Sequence, residues 1–140
     1  MTNKSVLALV VSSPGSLQNG LLALMTTIPK ISSVLVAEDV EASLRMVENH
    51  QPALIILDMS LPKVQETIKQ IKTQWAQIHL IVLVEDIAQQ KEIEVFGVDS
   101  VLLKGFSAQK LIAIIENLIE QRGDTPLPQI GTEEGGTNAN

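Results

Sequence analysis

Five short apolar runs constrain this chain more than any other feature: VLALVV (Val6 to Val11), VLVA (Val34 to Ala37), ALIIL (Ala53 to Leu57), LIVLV (Leu80 to Val84) and VLL (Val101 to Leu103). Each is near strand length, rich in Val, Ile and Leu, and mostly unbroken by polar residues, the pattern of strands covered on both faces. Segments with helical spacing separate them: Leu17, Leu21, Leu24, Ile28; Val40, Leu44, Val47; Val64, Ile68, Ile71, Trp75; a less regular stretch from Ile87 to Phe96; and Leu111, Ile112, Ile115, Leu118, Ile119. Strand and helix alternate five times. Parallel strands with helical crossovers predict a three-layer α/β sandwich, and five strands favour the flavodoxin-like order 2-1-3-4-5.

Composition narrows the class. The 140 residues are 45% hydrophobic, enough for one domain with its own core. The absence of cysteine excludes disulfides, thiolate metal sites and cysteine nucleophiles. Sixteen acidic against 10 basic side chains, with no basic cluster and only Trp75, Phe96 and Phe106 as aromatics, argue against direct nucleic-acid binding. The opening MTNKSVLALVVSSPG lacks the features of a signal peptide, and no apolar run reaches the roughly 18 residues of a membrane span. A cytoplasmic protein without membrane attachment is expected. Residues 123–140, GDTPLPQIGTEEGGTNAN, have no hydrophobic periodicity and read as a disordered tail or linker.

In an open parallel sheet, ligands collect at the carboxyl ends of the strands. The first run ends at Ser12 and Ser13, the third at Asp58, the fourth at Val84 and Glu85, and the fifth at Lys104. Lys104 is long enough to reach Asp58 from a nearby strand, so the two form a candidate pair.

These residues carry a resemblance. LDMSLP, an apolar strand ending in Asp58 with Pro62 four residues on, and GVDSVLLKGF, with Lys104 closing the fifth strand, resemble the response regulator receiver domain of bacterial two-component signalling. The spacing from LQNGLL through LDMSLP is similar to that of receivers preceding helix-turn-helix output domains. The match spans about Lys4 to Arg122. It implies a CheY-like fold, Asp58 as phosphoacceptor, Lys104 as the lysine that clamps the phosphoryl group, and a histidine kinase or an output domain as partner. It also implies a homodimer or docking face built from the fourth helix, fifth strand and fifth helix, presenting Gln90, Glu94, Gln109 and Lys110.

Several positions depart from the family pattern. The acidic pair that helps the phosphoacceptor hold Mg²⁺ falls on Ser12 and Ser13, leaving Asp58 as the aligned carboxylate for a weak metal site. A unit charge at 4 Å is worth about 4 kcal/mol against another at an effective dielectric near 20, so losing two weakens a Mg²⁺ site by orders of magnitude. The switch hydroxyl and the switch aromatic fall on Val84 and Val101. Valine keeps the shape of threonine but offers no hydroxyl. Gly105 stands where a proline usually follows the lysine, and Glu66 where glycine is common.

Two signalling readings follow: an atypical receiver acting through protein contacts or dimerisation with little or no Mg²⁺-dependent phosphorylation, and a conventional phosphoacceptor controlling a DNA-binding output domain. Neither makes the chain an enzyme. Asp58 and Lys104 are equally open to a purely structural ion pair. Ser12 and Ser13 suit capping of the first helix, with Pro14 at its first position. Glu85 reads as a surface glutamate or a partial substitute for the missing acids. His50 and His79 are expected in solvated loops, and Trp75 against the sheet at the end of the third helix. A phosphatase-type nucleophile would want a second Asp where Ser60 stands, and there is no GxGxxG or Walker loop. The serines of SSPGS leave flavin or phosphate binding as a remote third reading.

Overall fold

The structure, a computed structural model, describes residues 6–123, with side chains to residue 120. Ten elements alternate along it: β1 (Val6–Val11), α1 (Ser16–Met25), β2 (Ile31–Ala37), α2 (Val40–His50), β3 (Leu54–Asp58), α3 (Val64–Gln74), β4 (His79–Val84), α4 (Ile87–Glu94), β5 (Ser100–Leu103) and α5 (Ala108–Gly123). All four strand pairings are parallel, and the order is β2-β1-β3-β4-β5, as the alternation predicts. The expected tail lies outside the described residues, apart from Gly123, which closes α5. Among the described residues no helix is long and apolar enough to cross a membrane.

Alternation along each strand divides the core in two. Ala8, Val10, Leu54, Ile56, Ile81, Leu83 and Leu102 face one layer and pack with Leu21 and Met25 of α1 and Leu111 and Ile115 of α5. Leu9, Val11, Ile55, Leu57, Leu80, Val82 and Val84 face the other, against Val40 and Val47 of α2, Val64, Ile68 and Ile71 of α3, and Ile93 of α4. Trp75, the C-cap of α3, is partly buried against the second cluster as expected.

The differences from the expected boundaries have local causes. β2 begins at Ile31, three residues before its apolar run, because Ser32 and Ser33 lie exposed on an edge strand and Ser32 Oγ donates to the Val6 carbonyl. α1 ends at Met25 because the hydroxyls of Thr26 and Thr27 donate to the carbonyls of Ala23 and Leu24 within its last turn. Pro14 stays outside α1, and Gly15, at φ 150°, is the N-cap without a side-chain bond, so the serine cap is not formed. His50 is the exposed last residue of α2. His79 opens β4 half-buried, its Nδ1 3.3 Å from an Asp99 oxygen, while the other Asp99 oxygen accepts from the Leu80 amide.

Two of the three helices on the second face, α2 and α4, repeat one entry. Glu38-Asp39-Val40 leads from β2 into α2 and Glu85-Asp86-Ile87 from β4 into α4. In each, the Asp accepts from the amide three residues on, Ala42 at 2.8 Å and Gln89 at 2.9 Å. An N-cap carboxylate satisfies an amide that the helix itself leaves free. Asp39→Ala is expected to lower unfolding free energy by about 1 kcal/mol in urea titrations, with the denaturant slope unchanged.

Candidate functional site

The carboxyl ends of β3, β4 and β5 bring three charged side chains together. Asp58 closes β3, and the sheet buries it to 5% side-chain exposure. Its Oδ1 accepts from the Ser60 amide and the Ser60 hydroxyl, both at 2.9 Å, a turn closed by the aspartate itself. The same oxygen lies 2.7 Å from Lys104 Nζ.

Strand register explains how Lys104 arrives. Val84 pairs with Leu103, so Glu85 and Lys104 are the next residues along neighbouring strands, and the Lys104 amide extends the ladder to the Val84 carbonyl at 2.8 Å. Lys104 Nζ sits 2.6 Å from Glu85 Oε2. One ammonium therefore serves two carboxylates. Glu85, weighed from the sequence as a surface glutamate or a metal substitute, is half exposed and held by the lysine.

Burial strips water from the ammonium and pulls its pKa down, but the hydrogen bonds to Asp58 and Glu85 and the charges of both outweigh this. The Lys104 pKa ends above its ordinary 10.5. Gly105, directly after it, turns the chain at φ 95°, a conformation that glycine adopts without strain.

The other positions singled out from the sequence stand as follows. Ser12 is fully buried, its hydroxyl donating weakly to the Ser13 carbonyl at 3.4 Å and its carbonyl accepting from Gln18 Nε2 at 3.0 Å. Ser13 is exposed, and among the described residues no hydrogen bond links either serine to Asp58. Val84 is fully buried in the second core cluster, and Val101 is partly buried against it. Glu66 lies exposed in the first turn of α3. Among the described residues no group of three His, Cys, Asp or Glu side chains is placed to hold a metal ion.

Two contributors were missed from the sequence. Ser60 figured there only as a position lacking a second aspartate, although Asp-x-Ser after a strand is a turn signal. Gln18 shares the buried face of α1 with Leu21 and Met25, and a polar residue on such a face must find a partner.

Residues 10–116 match the family described as the response regulator receiver domain. No curated protein matches the chain in sequence. Solved structures share the fold at low identity. The receiver domain of an HD domain-containing protein from Pseudomonas fluorescens is 20% identical with a TM-score of 0.77, covering 87% of this chain and 92% of that one. A LuxR-family DNA-binding response regulator structure from Staphylococcus aureus is 17% identical with a TM-score of 0.73, covering 81% and 98%. A chemotaxis response regulator of Vibrio cholerae is 18% identical with a TM-score of 0.70, covering 81% and 98%.

Because folding raises the lysine pKa, the ion pairs stabilise the fold fully below the unfolded value near 10.5, and the contribution disappears as pH climbs through the higher folded value. Lys104→Met leaves Asp58 with Ser60 as its remaining donor and is expected to destabilise the fold by about 1–3 kcal/mol at neutral pH. That difference from wild type should narrow above pH 10.5 in unfolding curves taken across the alkaline range.

Proposed function

The chain belongs to the response regulator receiver domain family, and from that premise we propose an atypical member that signals through protein contacts with little or no Mg²⁺-dependent phosphorylation of Asp58. The observation that carries this reading is the bridging ammonium: Lys104 Nζ stands 2.7 Å from Asp58 and 2.6 Å from Glu85. A cation supplied by the chain neutralises the carboxylate that a divalent ion would otherwise have to neutralise.

The donor set does not suit Mg²⁺, which demands a near-octahedral shell of hard oxygens. At the first strand's end stand two neutral serines, and the Ser12 carbonyl is already taken by Gln18. Asp58 Oδ1 already accepts two hydrogen bonds from Ser60 and pairs with the Lys104 ammonium. Phosphoryl transfer to a carboxylate depends on charge neutralisation and positioning. With Val84 in place of a hydroxyl, a phosphoryl group would also lack one of its usual hydrogen-bond donors.

In this reading the partner is a histidine kinase, an output domain or a second copy of the chain, engaged through the face of α4, β5 and α5 in the cytoplasm of a bacterium. The elements named include the large hydrophobic side chains most exposed among the described residues: Val95, the C-cap of α4, at 81%, Ile87, its first residue, at 58%, and Leu103, the last of β5, at 38%. Gln90 and Glu94 of α4, with Gln90 donating to Glu94, and Gln109 and Lys110 of α5 are the polar residues this face would present. The receiver unit is taken as residues 4–122, and the tail expected over 123–140 begins after Gly123, which closes α5.

A second reading, a conventional phosphoacceptor controlling a DNA-binding output domain, draws on the same Asp58–Lys104 pair, since a lysine so placed can also clamp a phosphoryl group. Intact mass after incubation with a small acyl phosphate and Mg²⁺ separates the two. The expected result is an unchanged mass; a stable adduct lost in Asp58→Asn would establish the second reading. Asp58→Ala is expected to keep the association state of the wild type in sedimentation runs.

A further inference from the structure

Three observations converge on Glu85. Its carboxylate meets the Lys104 ammonium at 2.6 Å, directly beyond the paired strand ends Val84 and Leu103. Its own amide donates to Gln89 Oε1 at 2.8 Å, and a single residue, the cap Asp86, separates it from the first residue of α4. Its partner Lys104 is already immobilised by the buried Asp58. An exposed ion pair is ordinarily worth little because two long side chains must both be ordered. Here the lysine is ordered beforehand, so the glutamate alone bears that cost.

We propose that Glu85 is an internal anionic latch that fastens the start of α4 to the end of β5 while Asp58 is unmodified. The proposal rests on the reading of the chain as a receiver that works without phosphorylation: Lys104 is the cation shared by both carboxylates, and the pair holds the start of α4 with nothing added at Asp58.

Amide hydrogen exchange tests the latch in the intact chain. The amides to follow are Gln89, bonded to Asp86 Oδ1, Gln90, bonded to the Asp86 carbonyl, and Lys104, bonded to the Val84 carbonyl. In Glu85→Gln these three are expected to exchange about fivefold faster than in wild type, with the central strands β1 and β3 unchanged as proof of an intact fold. Glu85→Ala should match or exceed that change. Asp58→Asn, which removes one anchor of the lysine but keeps its pair with Glu85, should speed these amides clearly less than Glu85→Gln does. Wild-type rates in both Glu85 variants overturn the proposal, and so does an acceleration in Asp58→Asn equal to that in Glu85→Gln. A phosphoryl adduct in the mass experiment sinks the phosphorylation-independent reading while leaving the exchange result to stand by itself, so the two failures are separable.

Discussion

A parallel sheet with helices on both faces must be apolar on both faces, and everything else in this molecule is arranged around that demand. β1, β3 and β4 form its centre, with Leu9, Ile55, Ile56 and Ile81 among their fully buried side chains. Polar chemistry is confined to the strand ends. Asp58 is the carboxylate that comes closest to violating the rule, being the last residue of the most uniformly buried strand. A charge so placed needs donors, and Ser60 and Lys104 provide them. The site thus follows from where an apolar strand is allowed to stop.

The local balance of charge then sets the chemistry. Asp58 and Glu85 are two acids sharing one base, and the base is part of the chain. An ammonium on a flexible stem is a point charge with three rotatable donors. It can satisfy two carboxylates from different strands without the geometric demands of a metal shell. The neutral residues at Ser12, Ser13 and Val84 agree with this economy of charge: none adds a carboxylate for the lysine to balance.

Much of this was legible in the residues. The β1 run, Val6 to Val11, coincides with the strand, and the order of the sheet is the one that the fivefold alternation favours. The Asp58–Lys104 pairing could be anticipated because both close apolar runs. Less legible was anything set by an edge or by register. Ser32 and Ser33 conceal the start of β2, since an edge strand tolerates polar residues. The α1 entry was misread because Ser12 is drawn fully into the core, where Gln18 meets its carbonyl, so Gly15 is left to begin the helix. Glu85 looked solvated because periodicity reports faces of elements, whereas its contact depends on the one-to-one pairing of Val84 with Leu103.

The repeated Glu-Asp entry into α2 and α4 carries a last implication. Glu85 and Asp86 are the whole connection between the end of β4 and the first turn of α4. With no spare residue between them, the place of the carboxylate and the heading of the helix are closely coupled. A longer connection would let the two vary separately. The short one sets the first turn of α4 two residues from the strand end and one residue from the salt bridge.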